Sequence, residues 1–379
     1  MRRLLPALAL CAAAGPALAA GCGVPARMAD GWPVAAPQRE GLDARRVCAI
    51  GPRLASLDGA DPNGVVVARH GVLVYEHYFT GKDKPWREPY ARTPHDARTL
   101  HHIESITKSV VAILTGIAID RRLLAGVDAP ALSFFPDDAD LRTSEKAAIT
   151  VRHLLSMTSG IAWNEGATSY NDAANINRRR IFTERDPDRF VLRQPMAAPP
   201  GTVWNYSGGG VGLLASILQK ATHRRLDIFA KRVLFAPLGI ADWKWSSLAD
   251  GDPSASGGLL LRPRDLAKIG QLVLDRGVWR GRRLVSARWI TEMTSPQAPR
   301  GWRFHGGIYS YGYLWWLGRS AVGGRTVDWV GGIGWGGQRL FVVPSLGLVV
   351  AATAGLYYRT PKQFLAADTA FDMALRAAR

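Results

Sequence analysis

The chain predicts an α+β fold, an antiparallel sheet flanked by helices with a mostly helical domain inserted between its strands. Three observations carry that reading. Two β-branched and aromatic runs, Gly64 to Arg69 and Val72 to Phe79, meet at His70-Gly71, a hairpin signal. Further runs of the same kind return only near the C-terminus, so sequence-distant segments must close one sheet. Between them, from Arg121 to Ala298, apolar residues recur at helical spacing with short turns. With 379 residues, 47% of them hydrophobic, the chain has ample material for a large core.

Taken in order, Met1 to Ala19 reads as an export leader: Arg2-Arg3, an apolar run from Leu4 to Ala14, and an A-x-A site at Ala17-Leu18-Ala19. That run is too short to span a bilayer and no later segment qualifies, so a soluble periplasmic or secreted protein without a stable membrane span is expected. Ala19-Ala20-Gly21-Cys22 is a degenerate lipobox, which makes a lipoprotein at Cys22 the alternative. Once Cys11 leaves with the leader, Cys22 and Cys48 remain. They can pair in an oxidising compartment, or Cys48 can be a buried helix residue.

Asp43 to Leu57 is helical in pattern, with Asp43 placed as N-cap. The hairpin follows, then a polar loop from Gly81 to Arg98 and a helix beginning at Ser105. The helical stretch contains one long irregular segment, Asn164 to Arg185, expected to wall a site. Strands resume at Tyr311–Leu317, Thr326–Val330, Arg339–Val343 and Leu346–Thr353, and a last helix runs from Pro361 to Ala377. The expected organisation is therefore a leader (1–19), a discontinuous sheet domain (31–120 with 299–379) and a helical domain (121–298). The active site is expected at their seam, where pockets tend to form.

Ser105-Ile106-Thr107-Lys108 places a hydroxyl and an amine three residues apart on one helix face. Serine needs an adjacent base to become a nucleophile, and a desolvated lysine can be that base or tune one. The motif alone is weak, since an exposed helical lysine is usually just solvated. Pro199 to Gly208 forms a Pro/Gly-bounded loop that presents Tyr206 before an apolar helix (Val211, Leu213, Leu214, Ile217, Leu218). A phenol, pKa ~10, is ordinarily a packing residue, but beside an ammonium its phenolate is stabilised and can take a serine proton. Gly331 to Gln338 is glycine-rich and is expected to open the strand that follows. Glycines there let backbone approach a ligand, and exposed N–H groups can form an oxyanion hole.

These three elements, in this order, resemble the serine β-lactamase and penicillin-binding-protein superfamily. The branch they resemble is the class C-related one of esterases, D-aminopeptidases and 6-aminohexanoate-dimer hydrolases. His153 to Gly160, Ala198 to Gly201, Ser256 to Leu259 with Arg264 to Ala267, and Gly312 to Trp316 support it. The resemblance runs from about Gly31 to the C-terminus and implies a β-lactamase/transpeptidase-like fold. It also implies Ser105 as nucleophile, Lys108 as motif lysine and Tyr206 as base. The oxyanion donors would be the backbone N–H groups of Ser105 and Trp335. One departure matters: where the β-lactamases carry Lys-Thr-Gly, this chain reads Gly331-Gly332-Ile333-Gly334, without a cation.

Other candidates stand beside their structural readings. Tyr170, Trp204, Gly334, Gly336 and Trp315 are substrate-pocket candidates, although tyrosine and tryptophan near a motif are also ordinary packing residues. His101-His102 precede the nucleophile, but adjacent side chains on an extended segment face opposite ways and no second cluster has metal spacing, so a structural role is favoured. The formal charge of +17 comes mostly from scattered arginine, with no groove-reading motif that would make it a nucleic-acid binder. The function expected is a secreted serine hydrolase acting on a small ester, amide or peptide-like substrate through an acyl-enzyme, without cofactor or metal and of open oligomeric state. A true class C-like β-lactamase or D-Ala-D-Ala carboxypeptidase is the first alternative, a non-catalytic envelope-binding module the second.

Overall fold

A computed structural model describes residues 22–83, 91–298, 302–304, 307–358 and 360–378. The leader, its cleavage site and most of the lipobox lie outside the described residues. An eight-stranded antiparallel sheet organises the molecule. Its strands are β1 (Pro62–Arg69), β2 (Val72–Tyr78), β3 (Trp302–Phe304), β4 (Gly307–Tyr311), β5 (Trp316–Val322), β6 (Arg325–Gly334), β7 (Gln338–Val343) and β8 (Leu348–Ala354), in the order β3-β4-β5-β6-β7-β8-β1-β2. The N-terminal hairpin thus adds to the edge of a C-terminal meander, through the β1–β8 ladder from Pro62↔Ala354 to Arg69↔Leu348. His70 and Gly71 take φ of 51° and 80°, the paired left-handed geometry that matches the twist of a two-residue hairpin.

The central strands β7 and β8 are buried along their whole length because helices cover both faces. α1 (Ile106–Asp120) and α2 (Gly208–Thr222) belong to the middle of the chain, followed by α3 (Pro263–Leu274), α4 (Ala287–Met293) and the C-terminal α5 (Leu365–Ala377). Gly270 of α3 lies against Leu340, Val342 and Val349, whereas Phe371 of α5 stacks on Phe341 with ring centroids 3.9 Å apart. Residues 340 and 342 point opposite to 341 on a strand, so α3 and α5 sandwich the sheet. The expected helical domain 121–298 therefore needs one amendment, since α3 falls inside it by sequence yet packs on β7, β8 and β1.

Three other expectations shift. The loop from Gly81 to Arg98 contains a two-stranded ribbon, Thr80–Asp83 with Ala91–Pro94, whose mostly exposed residues give no alternating apolar pattern. The segment Asn164 to Arg185 contains a helix, Ile176–Phe182, capped by the Asn175 side chain. The glycine run 331–334 ends β6 rather than opening β7, with the turn at Trp335 to Gly337.

Asp43 does cap its helix, accepting from the N–H groups of Arg45 and Arg46. Cys22 and Cys48 form a disulfide. A sulfur bonded to sulfur has no valence left for a lipid thioether, so the bridge replaces both the lipidated Cys22 and the free, buried Cys48. Among the described residues no helix is long and apolar enough to cross a membrane.

Candidate active site

α1 is the element that places the chemistry. Every residue from Ile106 to Ala118 is buried, so the helix is held all round by the sheet and the helical layer. Trp289 Nε1 donates to Ala112 O (3.1 Å), Ser109 Oγ to Leu314 O (2.7 Å) and Trp315 Nε1 to Ser109 O (3.3 Å). Its N-terminal end is fixed by a short sheet in which His101-His102 pair with Leu261 and Leu260, and Leu259 N–H donates to Thr107 Oγ1 at 3.2 Å. Glu104, immediately before Ser105, has φ of 48°, a strained turn that aims the serine out of the chain's path.

Lys108 is 1% exposed, and its Nζ donates to Ser105 Oγ at 2.9 Å and to the carbonyl oxygen of Ser256 at 2.5 Å. It also stands 4.9 Å from the centroid of the Tyr206 ring. Tyr206 is presented by the turn that leads into α2, whose N-cap Ser207 accepts from Gly210 N–H at 2.9 Å. The tyrosine ring is stacked on Trp316, centroids 6.2 Å apart, and tilted against Trp204 at 6.1 Å. Bridging these two acceptors fixes the lysine nitrogen beside the phenol ring. The phenol is the group in this trio with an oxygen free to accept.

Ser105 and Tyr206 open into a cavity of ≈ 700 Å³. Trp163, Glu165, Tyr170, Trp204, Trp316, Gly334, Trp335 and Phe364 are among its walls. Of the pocket candidates read from sequence, Tyr170, Trp204 and Gly334 line it. Trp315 does not: it is fully buried behind α1, and its neighbour Trp316 takes the pocket-facing position. Gly336 is also set back, covered by Tyr357. Trp335 and Ser105, the two oxyanion candidates, face the same cavity.

Glu165 is the residue that sequence reasoning missed. It is 2% exposed, and its carboxylate accepts from Tyr170 Oη (2.8 Å), Trp163 Nε1 (2.7 Å) and Gly208 N (2.5 Å). Burial first, and then the Glu165 charge, push the Tyr170 phenol well above its ordinary range, so it remains a donor. Its ring meets Trp335 edge-on at 5.2 Å, which ties the 164–185 segment to the glycine turn across the cavity. A lone glutamate in a polar loop carries no motif, so only its fold neighbours reveal it. The Ser256 carbonyl was equally invisible, since a backbone acceptor has no residue-type signature.

His101 is a strut: its Nε2 pairs with Asn63 Nδ2 at 2.7 Å and its Nδ1 with His102 O at 2.9 Å. His153 closes a capping box with Thr150. Among the described residues no three His, Cys, Asp or Glu side chains gather as a metal site.

A family model described as Beta-lactamase matches residues 58–373. A 6-aminohexanoate-dimer hydrolase of Paenarthrobacter ureafaciens is 26% identical over 263 residues, 66% of this chain and 64% of that protein. Monacolin J acid methylbutanoyltransferase of Aspergillus terreus is 26% identical over 202 residues, 48% of this chain and 47% of the transferase. The chain thus spans less than two thirds of the length of these curated relatives. Among solved structures, an octameric penicillin-binding protein homologue from Pyrococcus abyssi superposes with a TM-score of 0.66 at 20% identity, covering 89% of this chain and 79% of that one. A penicillin-binding protein homologue from Caulobacter crescentus gives 0.61 at 19%, covering 87% and 99%. These likenesses show a β-lactamase/transpeptidase-like fold. With the family match extending over most of its length, the chain belongs to the beta-lactamase family.

Proposed function

We propose that the protein is an exported serine hydrolase that cleaves a small ester or amide through an acyl-enzyme on Ser105. The observation that carries this is one contact set: Lys108 Nζ 2.9 Å from Ser105 Oγ and 4.9 Å from the Tyr206 ring, at the edge of a tryptophan-lined cavity. Tyr206 takes the serine proton as Oγ bonds to the substrate carbonyl carbon, and the buried Lys108 ammonium offsets the charge that develops on the phenol oxygen. The tetrahedral oxyanion is held by the backbone N–H groups of Ser105 and Trp335. Tyr206 then returns the proton to the departing alkoxide or amine. A water deprotonated by the same tyrosine releases the acid and regenerates Ser105. The relatives' names include both a hydrolase and an acyltransferase, and one acyl-enzyme serves either outcome according to the acceptor that discharges it. The leader pattern and the Cys22–Cys48 bridge support export.

Treatment of the purified protein with a fluorophosphonate, followed by peptide mass spectrometry, tests the reading. The adduct is expected on Ser105, and Ser105→Ala is expected to lose both labelling and turnover of p-nitrophenyl butyrate. An adduct elsewhere, or full turnover by the alanine variant, overturns it.

A further inference from the structure

Seven arginines gather at the end of α1 remote from Ser105. The helix closes at Asp120, ~22 Å along its axis from the first turn. Arg121 and Arg122 follow, and Asp120 Oδ2 accepts from Ser286 N–H at 2.6 Å, fastening this end to the start of α4. The hairpin Val278–Trp279/Arg282–Arg283 lies just before that point. It carries Arg280, Arg282 and Arg283, and Arg283 Nη1 donates to the carbonyl oxygens of Arg276 (3.1 Å) and Val285 (3.5 Å), which ties the hairpin to the residue before Ser286. The Arg280 guanidinium lies beside Gly31, and Arg288 is on the first turn of α4. All seven are exposed, and among the described residues none forms an ion pair. The neighbouring acids are otherwise engaged, Asp120 with Ser286 and Asp275 with Gln271 Nε2 at 2.9 Å.

A second observation is independent of charge. Arg122, Arg276 and Arg280 have φ of 57°, 51° and 48°, and they are the only arginines among the nine described non-glycine residues with positive φ. Glycine or asparagine occupies such positions at lower backbone cost, so an arginine held there three times points to a use for its side chain. A third is Leu123, 42% exposed and one of five large apolar side chains so placed among the described residues, directly beside Arg122.

We propose that this face docks the protein on an anionic lipid surface. Guanidinium groups pair with phosphate headgroups, and an apolar side chain among them enters the boundary below. A hydrated polyanion would use the arginines but gain nothing from Leu123, which is why lipid is favoured. The catalytic cavity, at the other end of α1, stays open to substrate from solution.

The test is sedimentation of the mature protein with vesicles of equal phosphatidylcholine and phosphatidylglycerol, against vesicles of phosphatidylcholine alone, at low salt. Binding to the anionic vesicles only is expected. Arg280→Glu/Arg282→Glu/Arg283→Glu should weaken it roughly ten-fold or more. Arg45→Glu/Arg46→Glu/Arg53→Glu, the same change in net charge elsewhere, should leave most of it. Leu123→Ser should weaken vesicle binding several-fold but not retention on a polyphosphate resin. Melting temperatures show whether each variant is folded, and Arg282→Gln/Arg283→Gln repeats the arm without charge reversal should the triple variant melt early. Absence of wild-type binding overturns the proposal, as do equal losses in the two triple variants. Full vesicle binding by Leu123→Ser, or retention on polyphosphate without vesicle binding, overturns it in favour of a polyanion.

Discussion

Gly332 of β6 and Ile106 of α1 are in contact without a side chain between them: a Cβ on Gly332 would sit 2.6 Å from Ile106 Cγ2. The residue after Ser105 therefore rests directly on sheet backbone. Two positions on, a Cβ at Gly334 would meet the carbonyl oxygen of Ile103 at 2.6 Å. Both contacts explain why this strand carries glycine where related β-lactamases are expected to carry a lysine motif. The sequence uses these positions to seat α1.

Gly332→Ala should accordingly destabilise the fold by about 1–3 kcal/mol, through overpacking, and displace the N-terminal turn of α1. Urea unfolding and kcat for p-nitrophenyl butyrate should fall together. Adding Ile106→Ala should return part of the loss, because the two side chains compete for one space.

Lys108→Ala and Tyr206→Phe should each remove most of kcat, and the double variant should be little worse than either. The 4.9 Å approach of ammonium to ring makes them one unit. Multiplicative losses would separate their roles.

Glu165→Ala should cost about 2–4 kcal/mol, since it leaves the buried donors of Trp163, Tyr170 and Gly208 without their acceptor. Glu165→Gln, which keeps one carbonyl acceptor, should cost less. The loss is read by thermal and urea unfolding, and KM should rise in both because the Tyr170 wall loosens.

His102 gives a pH dependence of defined sign. Burial, reinforced by the charge of His101, lowers its pKa to about 4 from 6.5. Above pH 6.5 it is neutral in folded and unfolded chains alike. Between 6.5 and 4 the unfolded chain takes up a proton that the native state refuses, so stability falls as pH falls, by about 3 kcal/mol in all. Unfolding midpoints at pH 7.5 and 4.5 should differ less in His102→Gln than in the native sequence.

Nitrocefin should be a poorer substrate than p-nitrophenyl butyrate or a linear 6-aminohexanoate-type amide. Residues 331–334 supply no cation for the carboxylate of a β-lactam, and the next candidate, Arg339, is 1% exposed with its guanidinium 4.3 Å over the Phe364 ring. Loss of a charge-assisted contact of about 1.5–3 kcal/mol lowers kcat/KM roughly ten- to more than a hundred-fold. Nitrocefin as the best substrate by a wide margin would mean that another group holds the carboxylate.

What the sequence made legible was whatever rests on local pattern. Ser105 and Lys108 were visible because i and i+3 share a helix face. The hairpin at His70-Gly71 was visible through its turn chemistry, and Asp43 as a cap through its position before an apolar run. The Thr80–Asp83 ribbon was hidden because its one buried position is Gly81, which gives no apolar alternation. Trp315 was mistaken for its neighbour because adjacent residues differ only in which side of the chain they face, and the partner layers decide that. Glu165 depends on meeting Trp163, Tyr170 and Gly208 at once, a coincidence of three dimensions.

The sulfur–sulfur bond at Cys22 also records the redox history of the molecule that carries it. A molecule exposed to thiol reductants would carry two more hydrogens and keep its N-terminal strap only through contacts such as Arg264 Nη2 to the Ala26 carbonyl at 2.6 Å. Intact mass measured with and without alkylation therefore tells oxidised molecules from reduced ones in a single sample.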